Sequence, residues 1–187
     1  MKLLLILVML FCSQVTFAAS QEEKLEILKY RVNIQNAFIK HTDVINAVIE
    51  QNALNRSIAE IKTIDKAWRA GTSPLIESLQ VNAAANRLSK LIKYQGDKFS
   101  EVFLTDNQGA NIAAYPPTSD YWQGDEAKFT KSFNDGDGTV FFGEPEFDKS
   151  TNKNAIQISR PVLHQGKTIG VLVVGVIIND EEMEKLK

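Results

Sequence analysis

The chain has 187 residues, of which 21 are basic and 23 acidic, and its formal net charge is -2. This length suits one domain, and 44% apolar with 24% charged residues is the composition of a globular protein. The near balance of charge provides no basic surface for a nucleic-acid backbone, so no nucleic-acid partner is expected. One cysteine and two histidines exclude an internal disulfide and a Cys- or His-rich metal site, so no metal or cofactor is expected.

The first 18 residues have the layout of a secretory signal peptide. Lys2 precedes an apolar run over residues 3–11, and Thr16 and Ala18 supply the small residues of a cleavage site. A retained membrane anchor is the alternative, but the run is less than half of the ~20 residues that a spanning helix needs. We predict cleavage after Ala18 and a soluble periplasmic chain, 19–187.

The spacing of apolar residues predicts three helices before residue 96. The first spans 21–52 without Gly or Pro and carries one apolar stripe at steps of three and four. The second spans 57–69. The third begins at Ser73 and Pro74, which suit an N-cap and the first helical position, and it runs to about residue 95.

The predicted first helix is longer than the sheet strands that it could cover. A helix of this length spans about 48 Å, whereas typical strands cover only ~17–20 Å. The surplus apolar surface must be covered either by the other two helices or by a partner. We predict a homodimer through the N-terminal helix.

The second half of the chain has the pattern of a β-sheet. Asp106–Gly109 forms a turn between two predicted strands, and a short helix begins near Asp125. Residues 154–162 alternate, with Ile156 and Ile158 on one face and Gln157 on the other. The predicted strands span residues 101–105, 111–115, 139–142, 154–162 and 168–178.

Three segments of this half resemble the Cache family of extracytoplasmic sensor domains. They are Phe-Leu-Thr-Asp-Asn-Gln-Gly at 103–109, Ser-Asp-Tyr-Trp-Gln-Gly-Asp-Glu at 119–126, and the closing run at 158–162 and 166–172. The resemblance implies an α+β fold, in which a long N-terminal helix and a helical layer (19–95) pack on a five-stranded antiparallel PAS-like sheet (96–187). It also implies a small-molecule pocket between the sheet and the segment 115–145.

Two departures from the family limit what the resemblance implies. Amino-acid-binding members carry an Arg-x-Trp-Tyr run, whereas this chain has Tyr121-Trp122 with no arginine in the four preceding residues. The amino-acid ligand is therefore not carried over. Most members lie between two membrane helices and feed an output module, whereas this sequence ends shortly after residue 178. We expect a free-standing, secreted Cache domain.

The residues just before the short helix are candidates for ligand contact. Tyr121 and Trp122 combine apolar area with a polar tip, as a pocket requires, although they could instead plug the edge of the sheet. Asp120 and Asp125 could attract a ligand amine or could simply complement the dipole of the helix.

Arg160 shares the apolar strand face of Ile156 and Ile158 and therefore needs a partner. The partner could be a ligand carboxylate or an internal acid, Glu144. The predicted ligand-binding residues are Tyr115, Asp120, Tyr121, Trp122, Asp125, Phe142, Glu144 and Arg160.

These observations predict a periplasmic sensor module without enzymatic activity. It would bind a small polar solute (an amine, an amino acid or a carboxylate) and report occupancy to a separate membrane-bound signalling protein. The alternative is a structural or assembly protein with an unused pocket. A polar-lined cavity under Tyr121 would favour the sensor, and a collapsed apolar one the structural alternative.

Overall fold

The computed structural model describes residues 18–148 and 152–187. The predicted signal peptide, apart from Ala18, lies outside the described residues. Within them, none of the helices has the length and apolar character that a membrane crossing requires.

Five helices precede the sheet, a sixth lies within the strand half and a seventh closes the chain. The helices are α1 (Gln21–Ile39), α2 (Thr42–Ala53), α3 (Ile58–Arg69), α4 (Leu75–Val81), α5 (Ala83–Gln95), α6 (Ala127–Phe133) and α7 (Asp180–Leu186). The strands are β1 (Phe99–Thr105), β2 (Asn111–Tyr115), β3 (Phe141–Phe142), β4 (Glu146–Asp148), β5 (Lys153–His164) and β6 (Lys167–Ile178).

The strands form one antiparallel sheet in the order β2-β1-β6-β5-β3, and β4 pairs with a separate part of β5. Phe103 of β1 lies opposite Ala114 on one side and Val173 on the other. On β5, Gln157 lies opposite Gly175. The predicted α+β class with a five-stranded antiparallel sheet is confirmed, and β4 adds a sixth strand.

The predicted single helix over 21–52 is wrong in one respect, because it is two helices. His41 adopts an extended conformation (ψ 138°) and caps α2, its Nδ1 accepting a hydrogen bond from the backbone N–H of Asp43 at 3.2 Å. The predicted third helix is interrupted in the same way at Asn82, whose side chain caps α5. Side-chain caps therefore break both long apolar patterns.

The two faces of the sheet are covered differently. Helices α1, α2 and α5 bury one face under a large apolar core that includes Leu28, Val48 and Leu88. On the other face, Phe129 and Phe133 of α6 cover a small cluster around Phe103 and Val173. The rest of that outer face, toward the beginning of β1, is not part of this apolar cluster.

Candidate functional site

Helix α3 fixes the segment that carries three of the predicted ligand residues. Asp65 accepts hydrogen bonds from the backbone N–H groups of Tyr121 (2.9 Å) and Trp122 (3.1 Å) through one carboxylate oxygen. Its other oxygen accepts from Arg69 Nε at 2.8 Å, and Arg69 also reaches Asp120 at 3.2 Å. The segment is therefore attached to α3 through its main chain as well as its side chains.

Tyr121 lies in an apolar cluster and has no exposed surface. Its ring centroid is 5.9 Å from that of Trp68, and Ile61 and Ala110 belong to the same cluster. Its hydroxyl accepts a hydrogen bond from Gln51 Nε2 at 3.3 Å, and burial raises the pKa of Tyr121. This is the collapsed apolar environment expected from the structural alternative.

Arg160 and Glu144 lie near α1, but they do not pair with each other. Arg160 donates a hydrogen bond to the carbonyl of Val32 at 2.9 Å, and burial lowers the pKa of its guanidinium. Glu144 pairs instead with Lys24 at 3.1 Å. The predicted Arg160–Glu144 pair is wrong, because each of the two side chains binds a residue of α1 instead.

The remaining predicted residues are also dispersed. Phe142 is buried in the large core on the helical face, and Tyr115 packs against the same core with Lys93 Nζ 5.6 Å from the centre of its ring. Trp122 donates through its indole N–H to the carbonyl of Gln108, while Asp125 is exposed to solvent. The eight predicted ligand residues thus do not converge on one cavity.

A groove of about 630 Å³ lies on the outer face of the sheet, beyond the area covered by α6. We call it the sheet groove, and its lining residues are Ser100, Glu101, Pro116, Pro117, Thr118, Ser119, Glu146, Asp148, Ala155, Ile156, Gln157 and Gly175. The loop after β2 forms one wall and β4 contributes to another. The groove lies between the sheet and the segment 115–145, where the resemblance implies a pocket, but none of the eight predicted residues lines it.

The floor of the sheet groove is a hydrogen-bonded pair across three strands. Gln157 of β5 donates through Nε2 to Glu101 Oε1 of β1 at 2.8 Å, and Gly175 of β6 lies between them. A Cβ atom at Gly175 would lie 2.7 Å from Glu101 Cγ. The glycine therefore leaves the space through which the two polar side chains meet.

The sheet groove favours positive charge. Among the described residues that line it, Glu101, Glu146 and Asp148 are acidic and none is basic. Its volume falls in the range of roughly 300–1,000 Å³ that is typical of small-molecule sites. A concave surface with one sign of charge attracts solutes of the opposite sign.

The sequence contained a signal for these residues. The alternation over residues 154–162 predicts that Gln157 points away from the apolar face of its strand. Glu101 begins the predicted strand 101–105, directly before three apolar residues. A glycine at 175 interrupts a run of Val and Ile. Their meeting across three strands depends on the register, which one sequence does not reveal.

A second groove of about 520 Å³ lies on the helical side, between α2 and the α4–α5 corner. Its polar lining residues are Asp43, Asn46, Glu50, Gln51 and Asn82. Asp43 already pairs with Arg87 at 3.4 Å, and Asn82 donates to the carbonyl of Ile112 at 2.7 Å. Several polar groups of this helical groove are therefore used to join elements of the fold.

No family model and no curated relative matches the chain. Similar solved structures include the sensor domain of the V. cholerae histidine kinase DctB, at 15% identity and a TM-score of 0.43, which covers 89% of this chain and 58% of that one. The ligand-binding domain of the Pseudomonas aeruginosa amino acid chemoreceptor PctC, solved with GABA, is 20% identical over 64% of this chain and 57% of that one, with a TM-score of 0.42.

The sensory domain of the Campylobacter jejuni chemoreceptor Tlp3, solved with isoleucine, is 15% identical over 89% of this chain and 66% of that one, with a TM-score of 0.39. The chain thus spans about three-fifths of the length of these domains. In fold, the chain is similar to sensor and ligand-binding domains of a histidine kinase and of chemoreceptors.

Proposed function

We propose that the chain is a periplasmic sensor module that binds a small cationic amine in the sheet groove. The observation that carries this proposal is the pair formed by Glu101 and Gln157 on the floor of an acidic groove of ligand size. A half-buried carboxylate at this position stabilises an ammonium group more strongly than an exposed one would, because the local dielectric is lower.

The lining of the groove distinguishes among the three ligand classes that the sequence leaves open. A carboxylate or an amino acid needs a cationic or N–H-rich partner, and the described lining residues include no lysine or arginine. The absence of an Arg-x-Trp-Tyr run from the sequence agrees with this. An amine without a carboxylate is the ligand class that fits.

The role in signalling rests on the resemblance of the sequence to Cache sensor domains. In this proposal, the module reports whether an amine occupies the sheet groove to a separate membrane-bound signalling protein. We assign binding rather than catalysis on the same resemblance. Both histidines lie outside the sheet groove: His41 caps α2, and His164 ends β5 at a hairpin. The groove therefore lacks a histidine base.

A structural or assembly role is the second candidate. It is favoured by Tyr121, which is fully buried against Trp68 instead of facing a polar cavity. In that case the sheet groove would be unused, and no solute of any class would bind to it.

Calorimetric titration separates the two candidates. Putrescine, spermidine and ethanolamine form one set of probes, and succinate and glutamate form the other. We expect binding of at least one amine and a loss of about 5- to 150-fold in affinity for Glu101→Gln, the range that removal of a charged hydrogen-bond partner gives. Glu50→Gln, which removes a carboxylate from the helical groove, is the matched control and should bind as the wild type does. Binding of the acids alone, or of nothing, would reject the amine sensor.

A further inference from the structure

The first turn of α1 is attached to the edge strand β3 through main-chain atoms. The side-chain amide of Gln21 donates to the carbonyl of Phe142 at 3.0 Å and accepts from its N–H at 2.8 Å. Lys24 Nζ donates to the carbonyl of Gly143 at 3.0 Å and contacts both oxygens of Glu144 at 3.1 Å. We call Gln21 and Lys24, together with their partners Phe142, Gly143 and Glu144, the α1 clamp.

Lys24 is an unusual residue for its position. It lies one turn before Leu28 on the buried stripe of α1 and is only 1% exposed, although lysine is rarely buried unless it is paired. Its charge is satisfied by Gly143 and by the carboxylate of Glu144, which is itself 73% exposed. A helix that only needed to cover the sheet would place an apolar side chain here.

The α1 clamp is connected to the sheet groove by consecutive hydrogen bonds. Gly143 accepts from Lys24 through its carbonyl and donates through its N–H to the carbonyl of Gln157 at 2.9 Å. The side chain of Gln157 donates to Glu101 in the groove at 2.8 Å. One residue of β5 therefore contacts both the proposed ligand site and the strand edge that α1 holds.

We propose that Lys24 and Gln21 are positioning residues that couple the N-terminal helix to occupancy of the sheet groove. The inference rests on the proposed function, since it takes the groove as the ligand site. An ammonium group that binds Glu101 orders the carboxylate that accepts the hydrogen bond from Gln157, and the strand pairing at Gly143 tightens in response. Because coupling between two sites is reciprocal, loosening the clamp must also change the groove.

Hydrogen exchange in the unliganded protein tests whether Lys24 and Gln21 hold the strand edge at Phe142 and Gly143. We expect Lys24→Met, which retains the apolar stem, to reduce protection of the Gly143 amide about tenfold through local opening. Gln21→Ala, at an exposed position that does not endanger folding, should deprotect the amide of Phe142. Lys29→Met is the control, because Lys29 is exposed and its ion pair, among the residues that the structure describes, is with Glu26 on the same helix. Unchanged protection of Gly143 in Lys24→Met would overturn the inference.

A variant of a groove residue, Gln157→Ala, and one amine probe, putrescine, test whether the α1 clamp and the sheet groove are coupled. Gln157→Ala should speed exchange of the amides of Leu25 and Leu28 in α1, and putrescine should slow it in the wild type but not in Lys24→Met. Equal slowing in Lys24→Met would contradict the inference. If putrescine does not bind, the amine proposal fails, and the effect of Gln157→Ala on α1 still decides whether the clamp and the groove are coupled.

Discussion

Tyr121 is the residue at which the predicted ligand-binding role and the buried position in the structure lead to opposite expectations for stability. It is fully buried and packs against Trp68, so Tyr121→Ala should lower the free energy of unfolding by about 3–5 kcal/mol. Tyr121→Phe loses only the hydrogen bond from Gln51 and should cost about 0.5–1.5 kcal/mol. Urea denaturation measures both values. Tyr94→Ala, at a residue that is 81% exposed, serves as control and should change the stability by less than about 0.5 kcal/mol.

If Tyr121→Ala lowers the free energy of unfolding only slightly and abolishes amine binding, Tyr121 is a ligand-binding residue, as the sequence predicts. A large cost with amine binding intact would place Tyr121 in the core and the ligand elsewhere. The outcome therefore tests the predicted ligand residue independently of the sheet groove.

Asp106 makes the free energy of unfolding depend on pH, and the direction of its pKa shift gives the sign of that dependence. Burial raises the pKa of its carboxyl above the ordinary 3.8, although the N–H groups of Gln108 and Ala110 donate to it and partly oppose the shift. The folded state thus holds this proton more tightly than the unfolded chain does. The contribution of Asp106 to stability is greatest below pH 3.8 and declines as the pH rises through the raised pKa.

Asp106→Asn keeps an acceptor oxygen for the turn and removes the titration. Relative to this variant, the wild type should lose stability as the pH rises from about 3.8, as measured by urea denaturation at a series of pH values. Parallel pH profiles for the two proteins would show that the carboxyl of Asp106 does not have a raised pKa.

At the scale of elements, α3 holds the loop before α6 through Asp65. Asp65→Ala would leave the N–H groups of Tyr121 and Trp122 without their acceptor, at a cost of about 1–3 kcal/mol in unfolding free energy. Hydrogen exchange should show loss of protection at these two amides. Asp65→Asn keeps an acceptor and should retain most of the protection. Unchanged protection of both amides in Asp65→Ala would show that these backbone contacts do not hold the loop.

The homodimer through the N-terminal helix stays a prediction, but the argument from surplus apolar surface on one long helix is weaker. The break at His41 lets both α1 and α2 cover the sheet, and the large apolar side chains left exposed on α1 are Leu25 and Tyr30, at 41% and 65%. If α1 forms an interface, Leu25→Glu should convert a dimer to a monomer in sedimentation experiments. A wild-type monomer at high concentration would reject the dimer.

The break at His41 shows what apolar periodicity can and cannot predict. The buried residues Ile39 and Val44 are five positions apart, a step that a continuous helix does not place on one face. Phe38 and Ile45 are seven residues apart, a helical step, so the apolar stripe predicted over 21–52 continues across this point and conceals the break. A cap formed by the Nδ1 of histidine has no strong sequence signal, since Ser, Thr, Asp and Asn are the usual N-caps.

At the scale of the whole molecule, the class and the sheet could be predicted because strand alternation and turn residues are local signals. The strand at 111–115 and the turn at Asp106–Gly109 lie where the sequence predicted them. The position of the groove residues could not be predicted, because Glu101 and Gln157 meet only through the pairing of β1, β6 and β5. The role of Asp65 depends on the docking of α3, which no local pattern encodes.

The most direct test of the central claim is to titrate putrescine into the isotope-labelled protein and to follow its backbone amide resonances by NMR. An amine in the sheet groove should shift the amides of Glu101, Glu146, Gln157 and Gly175 in a saturable way, and Glu101→Gln should weaken the response. Shifts confined to Glu50 and Ala84 in the helical groove, or to the residues around Tyr121, would place the ligand elsewhere and contradict the account.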